Sequence, residues 1–589
     1  MSGQEGDFDE PSILSRTVRL TRRHPVLVGV LCFLIIALLR YSAIWQGGNV
    51  IVGGPPDNEQ HAWELAWWAF ALTHGLNPFT TNYLSLPHHP ISLMWNNSTP
   101  LLAILVLPIS LLAGGVAAFN LLMVATLWAS TSVCFLCLRR FTAHPLAAWL
   151  AGLVFGFSPF VSQGADSGRL PWLSLFFLPV LFLLYLQVLV ERRGVRWRLG
   201  LLIGIVLSGQ FLVSEELAAD VLLMAVLMTL ILAASYRNQI AAAARFAALP
   251  LTVAAGTFLA VGSYPLYVQF FGPGRTHGAV IPLAKVVSDL AGFVLPTHYQ
   301  LLNLGNAFPA FLSFQTSVGD SASYLGLPLI GLLAFMAIRQ GRDPLTRWSL
   351  VLVVVAMVLS LGPHLTFLGH PTGVPLPWAL LRHVPLLGLA APRRLMVFAY
   401  LGVAVVLVRL SQVEWPAFPN WIKLSAVAAC LLTLAPTSSW FGTVSAPLFF
   451  SGRGVTAVHP GSLVLVAPAG ANQNLGTVPL AEDMIWQADA GFRFRMIWGD
   501  LIQPSRKGDA ELVAQSPLSN ELYSLQQGAE FRPTSTLMSR MLRDLRISGA
   551  SYVLVGPSPR RQTLLRFFRK LIGRNPAKVD GVALWALHR

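Results

Sequence analysis

Long apolar runs separated by short basic connectors fill the chain from residue 25 to about 440. The runs fall near 25–43, 117–138, 145–163, 171–190, 199–214, 218–235, 246–266, 323–338, 348–362, 395–412 and 422–438. Many approach the roughly 20 residues a helix needs to cross a hydrocarbon core of about 30 Å. They are continuously apolar rather than alternating, which predicts helices and argues against an outer-membrane barrel. One more stretch, 101–113, is short, contains Pro108 and ends at Gly114-Gly115. It predicts a re-entrant or surface-lying helix. The expected fold class is an all-α polytopic membrane bundle of about 11–13 transmembrane helices over 25–440.

The basic connectors set an orientation. Arg16, Arg19, Arg22 and Arg23 precede the first run and resemble an uncleaved signal anchor. "ERRGVRWR" (191–198), "RQGRDPLTR" (339–347), Arg237 and Arg245 lie between later runs. Short loops rich in Lys and Arg stay in the cytoplasm. The tail 1–24 is therefore expected inside, and loops 44–100, 267–320 and 363–392 outside. Arg139 and Arg140 join the inner set only if 101–113 does not cross.

After about 440 the pattern changes. "SLVLVAP" (462–468) and "SYVLVGP" (551–557) are short β-branched runs ended by Pro or Gly, as buried strands are. "TLLRFFRKLIG" (563–573) has helical periodicity with basic residues opposite the apolar ones, and "VALWALHR" reads as an edge strand. These predict an extracytoplasmic α/β domain over 441–589.

Composition supports a membrane protein. Of 589 residues 54% are hydrophobic and 11% charged, with a mean hydropathy of +0.61. The net charge is +15; the arginines lie mostly in short loops between apolar runs, where the positive-inside rule puts them, so no nucleic-acid partner is expected. Cys32, Cys134, Cys137 and Cys430 all lie in apolar runs, which implies neither a zinc site nor a disulfide framework.

Against that apolar background "GGPPDNEQHAWELAWW" (53–68) stands out. Apolar spacing from His61 predicts a helix lying on the outer membrane surface, with Trp63, Trp67 and Trp68 at headgroup level. Asp57 stands just before it, as an N-cap or as a catalytic carboxylate. Glu59 and His61 are further acidic and polar candidates. "FSPFVSQGADSGRLPW" (157–172) brings Asp166 and Arg169 to an outer turn, either solvated or lining a mouth for a charged substrate. Glu215 and Glu216 interrupt an apolar run, in a surface turn or pointing into the bundle. Arg393 and Arg394 stand at the outer edge of a span, against the positive-inside trend. They either pair with headgroups or clamp a lipid phosphate. His88 and His89 are adjacent in a polar loop. Tyr264, Arg275, His277 and Lys285 are unranked polar candidates of the outer loops. No Walker, G-x-S-x-G or H-E-x-x-H signature in a fitting context is present.

The order of these segments resembles glycosyltransferase superfamily C (GT-C), integral-membrane transferases that use polyprenyl-phosphate sugars. Phrases such as "NYLSLPHHPISLMWNNSTPLLAILVLPISLLAGG", "LAGLVFGFSPFV", "LGPHLTFLGHPTGVPLPWALL" and "APRRLMVFAYLGVAVVL" resemble largely uncharacterised actinobacterial-type members, over about 50–440. The resemblance implies a polyprenyl-phosphate sugar donor, a glycan or lipid acceptor, membrane lipids around the bundle, and Asp57 as general base. It implies Arg393, Arg394 and Arg169 as ligands of the lipid phosphate. No cofactor is implied with certainty, and a divalent metal is compatible with the acidic loop. The chain departs from the frequent Asp-Glu pair, since Asn58 separates Asp57 from Glu59. In this group the turn after the FSP phrase often carries Gly-His-Leu-Asn; here it reads Gly164 to Arg169. The rival classes are a flippase or transporter of lipid-linked glycan and a non-catalytic envelope scaffold. The few ionisable residues in the inner halves of the spans argue against a transporter.

Overall fold

The computed structural model describes residues 24–587 except 48, 56, 85–89, 97, 304–322, 385–386, 389, 414–418, 446, 470–481, 506 and 513–515. His88, His89 and the predicted inner tail up to residue 23 lie outside the described residues.

The helices of the bundle are α1 (Pro25–Arg40), α2 (Asp57–Thr73), α3 (Pro100–Leu105), α4 (Leu107–Leu138), α5 (Pro145–Gly156), α6 (Pro159–Asp166), α7 (Phe177–Tyr185), α8 (Arg196–Val213), α9 (Glu215–Ser235), α10 (Ile240–Phe271), α11 (Leu327–Gln340), α12 (Pro344–Ser360), α13 (Met396–Leu410) and α14 (Asn420–Leu434). Each predicted apolar run carries a helix. Among the described residues, four helical stretches are long and apolar enough to cross a membrane: 107–141, 196–213, 215–235 and 237–271. Helices α5 and α6 reach that length only together, bent by 43°, as a broken span or a re-entrant loop has it. Shorter apolar helices lie at 25–40, 177–191, 327–340, 344–360 and 424–434, so fewer helices than the expected 11–13 reach spanning length among the described residues. Exposed Leu222, Val226 and Leu230 on α9 give the bundle the apolar outer surface that a lipid environment requires.

Two expectations change. The predicted helix 101–113 is split into α3 and the first turns of α4. The chain then continues through Gly114, whose φ of 81° breaks the helical geometry as glycine permits. The three tryptophans predicted at headgroup level are instead buried within the protein. Their helix starts at Asp57 and is buried along most of its length. Its close packing on α4 is the reason, since a Cβ at Gly115 would lie 2.0 Å from the Ala62 carbonyl oxygen.

Beyond the bundle lies a five-stranded sheet built from β3 (Leu463–Ala467), β4 (Arg495–Met496), β5 (Tyr552–Val555), β6 (Ala577–Val579) and β7 (Val582–Ala586). The strand order is β6-β7-β5-β3-β4. Strands β3, β5 and β4 run parallel, with Val553 opposite Leu465, and β7 pairs antiparallel with both β5 and β6. The predicted edge strand is therefore internal, because β6 covers it.

Side-chain alternation divides the sheet's faces. Leu463, Leu465, Val553, Val555, Ala583 and Trp585 face a core made with α16 (Pro517–Gln526), α17 (Ser535–Ile547) and α18 (Arg561–Ile572). Val464, Val466, Tyr552, Leu554, Val582 and Leu584 join the core shared with α15 (Asp483–Asp489) and the bundle. The sheet thus lies between the bundle and an outer helical layer.

The contact at Gly115 is testable. Gly115→Ala forces α2 and α4 apart and should cost about 1–3 kcal/mol, the range for overpacking. A lower thermal midpoint of the detergent-purified protein checks this, and an unchanged midpoint contradicts the packing described.

Candidate active site

The site is assembled by a strand, two glycines and a cap. Strand β1 (Val50–Val52) pairs with β2 (Phe441–Thr443) and is clamped by Asn120. The Asn120 side chain accepts from the Val52 N–H at 3.0 Å and donates to the Val50 carbonyl at 2.7 Å. The chain turns at Gly53, where φ is 77°. A Cβ there would lie 2.4 Å from the Gly168 nitrogen, and one on Gly168 would lie 2.5 Å from the Asn58 Cβ. Only glycine fits either position, so the 164–169 turn rests directly on the start of α2. Buried Asn58 closes the corner by donating to the Gly53 carbonyl at 2.7 Å.

That approach joins Asp57 to Arg169, Oδ2 to Nε at 2.7 Å, with both side chains about one-fifth exposed (20% and 18%). The pair is therefore reachable from solvent. Trp172 carries Arg169 over its ring at 4.9 Å and Arg394 at 5.6 Å. Each guanidinium is held by the negative face of the indole. Arg394 also forms an ion pair with Glu216 in the first turn of α9. Ser214 caps that helix, its Oγ accepting from the Leu217 N–H at 3.3 Å. Tyr299 bonds to the Ser167 side chain and sits near Arg169 and Arg393.

The remaining carboxylates of α2 face other surroundings. Glu64 is buried, and burial raises its pKa against the opposing influence of His61 and Gln60. Gln60 Nε2 donates to it at 3.1 Å, and His61 Nδ1 stands 3.4 Å away. The His61 ring stacks on Phe119, with centroids 6.3 Å apart. Glu59 is buried towards the C-terminal domain. Burial first, then Asp483, Glu482 and Asp500, push its pKa well above the usual carboxylate range. Asp500 is 2% exposed, and neither carboxylate oxygen has a hydrogen-bond partner among the described residues. Burial, Asp57 and Asp483 push it up likewise.

Of the sequence candidates, Asp57, Arg169 and Arg394 come together. Arg393 is 4% exposed and donates to the Lys285 carbonyl at 3.2 Å. Asp166 ties its turn to the chain before β2, its side chain accepting from the Trp440 N–H at 3.2 Å and its carbonyl from Gly54. Tyr264 accepts from Asn77, and His277 pairs through its backbone with the 508–510 segment. Glu215 and Glu216 begin α9 rather than forming a bare turn. Trp172, Asp500 and Tyr299 were missed. Among the described residues no group of three or more His, Cys, Asp or Glu side chains is arranged to hold a metal ion.

The family model described as a domain of unknown function, DUF6311, matches residues 26–436. The chain belongs to the DUF6311 family. The match covers the bundle and stops before the C-terminal sheet. No curated protein matches the sequence. Among solved structures, arabinofuranosyltransferase AftD from Mycobacteria aligns with a TM-score of 0.51 at 14% identity, covering 96% of this chain. This DUF6311 chain spans 40% of AftD's length. The archaeal oligosaccharyltransferase AglB from Archaeoglobus fulgidus, in complex with an inhibitory peptide and a dolichol-phosphate, aligns at 0.47 and 12% identity, covering 91% of this chain and 70% of its own. ArnT from Cupriavidus metallidurans, in the apo state, aligns at 0.37 and 14%, covering 95% and 98%. At such identities the likeness is one of fold. This DUF6311 chain shares the fold of AftD.

The buried acids predict a pH response. Unfolded carboxyls titrate near 4. A folded value raised above that means stability is greatest at low pH and is lost as pH rises towards the folded value. Glu59→Gln and Asp500→Asn should each raise the thermal midpoint, by more at pH 8 than at pH 5. Scanning fluorimetry at the two pH values measures this, and a lower midpoint at pH 8 contradicts it.

Proposed function

We propose that the protein is a membrane glycosyltransferase moving a sugar from a polyprenyl-phosphate donor to an acceptor hydroxyl on the extracytoplasmic side. The observation that carries this reading is the Asp57–Arg169 pair at 2.7 Å beside Arg394, on one tryptophan ring. A half-open carboxylate next to two cations suits a reaction with one proton to remove and one phosphate to release.

In this reading the acceptor hydroxyl hydrogen-bonds to Asp57, which takes its proton as the oxygen attacks the anomeric carbon. The bond from that carbon to the phosphate oxygen breaks, and the electron pair leaves with the polyprenyl phosphate. Attack opposite the leaving group inverts the anomeric centre. The leaving phosphate needs no proton near neutral pH, but it needs positive charge beside it. Arg394 is the better ligand than Arg393, because it shares the Trp172 ring with the Arg169 that holds Asp57, while Arg393 donates to the Lys285 carbonyl. Arg169 holds the Asp57 carboxylate in place and adds charge on the phosphate side.

Asp57→Asn keeps the shape but removes the base, so transfer from a polyprenyl-phosphate sugar should fall by about 10²- to 10⁴-fold. The thermal midpoint shows that the variant remains folded; full transfer by a folded variant refutes the assignment. Sidedness is tested separately by cysteine labelling of intact cells. A membrane-impermeant maleimide should modify Arg574→Cys in the C-terminal domain and not Arg342→Cys in the connector before α12. The reverse pattern puts the site in the cytoplasm.

A further inference from the structure

The last 60 residues, 530–589, hold twelve Lys and Arg against three carboxylates, so +9 of the chain's +15 resides there. The structure gathers most of that charge on one layer. Helix α17 buries Met541 and Leu545 and exposes Arg540, Arg543 and Arg546 at spacings of three. Helix α18 buries Leu564, Leu565, Phe567, Phe568 and Leu571 and exposes Arg566, Arg569 and Lys570. The two helices pack side by side on one sheet face, and the opposite face of that sheet joins the bundle core.

Among the described residues none of these six cations is in an ion pair. Among the described residues the ion pair in this region is Arg532 with Glu530, at the approach to α17. Asp544, within α17, is turned to the α16 backbone, accepting from the Leu518 N–H at 3.2 Å. Lys570 lies over the Phe531 ring at 5.7 Å. Like charges three or four residues apart on a helix destabilise it, and a face selected for solubility alone interleaves signs. A one-sign surface instead raises the local concentration of a counter-charged partner.

We propose that the α17–α18 face docks a polyanionic glycan, a polymer carrying repeated phosphodiester or carboxylate groups. Its place across the sheet from the bundle turns it away from the bundle and favours a polymer over the protein's own bilayer. The choice of a glycan over a nucleic acid rests on the extracytoplasmic placement argued above. The chemistry at Asp57 plays no part in it.

The test uses the full-length protein in nanodiscs of neutral lipid and a quadruple variant, Arg540→Gln, Arg543→Gln, Arg566→Gln and Arg569→Gln. The probes are a glycerol-phosphate polymer, polygalacturonate, neutral dextran, single-stranded DNA and phosphatidylglycerol vesicles. The wild type should retain the two anionic polymers and not dextran. Affinity should drop by about tenfold or more between 50 and 200 mM salt, as bound counterions are displaced. The variant should bind at least tenfold more weakly, with a thermal midpoint no lower than the wild type because repulsion has been relieved. Equal binding by a folded variant overturns the proposal. So does tighter binding of DNA or of vesicles than of the polymers. A variant that unfolds is replaced by the pairs Arg540→Gln/Arg543→Gln and Arg566→Gln/Arg569→Gln; no loss in either pair also overturns it.

Discussion

Everything at the candidate site depends on how closely two backbone segments approach. The turn after α6 and the start of α2 touch through Gly53, Gly168 and Asn58, where no Cβ fits between them. That contact sets Arg169 against Asp57. A salt bridge between partly exposed groups contributes little by itself. Here the order is reversed: packing holds the backbones together, and the ion pair follows from that. Both partners can then interact with a substrate while the fold remains intact.

The same helix joins the bundle to the C-terminal domain. Trp63 donates to Gln487 at 2.8 Å, and Trp63 and Trp67 pack edge-on against Phe492. Asn96 donates to the Ile502 carbonyl at 3.1 Å and accepts from the Ile502 N–H. Tryptophans placed at a headgroup boundary on sequence grounds are therefore an interdomain seam. An aromatic ring with one polar edge suits either surroundings, so composition alone does not distinguish them.

The bundle was legible because apolar length and basic connectors act locally along the chain. The strands 462–468 and 551–557 were legible for the same reason. Asp57 and Arg169 could be picked out as odd charges in an apolar setting, 112 residues apart. Their contact could not, because it depends on two glycines whose role appears only when the backbones meet. Asp500 was hidden altogether. It sits in an ordinary polar stretch, "WGDLIQPSRKGD", and becomes unusual only when α2 and the C-terminal domain bury it. The charge of α17 and α18 was visible in part, as a basic face on 563–573, but not its direction.

Four carboxylates near α2 show how one region assigns different tasks to one functional group. Asp57 is given a guanidinium and an open side. Glu64 is buried but accepts from Gln60 and has the His61 ring 3.4 Å away. Glu59 and Asp500 are buried beside other acids, and burial favours their neutral form. Water cannot stabilise a charge on the last two, and neither is ion-paired among the described residues, so neither is equipped to work as an ionised base. Environments that drive titratable groups apart are the mark of an acid–base site. Of this cluster Asp57 is the carboxylate that has both a guanidinium partner and a path to solvent.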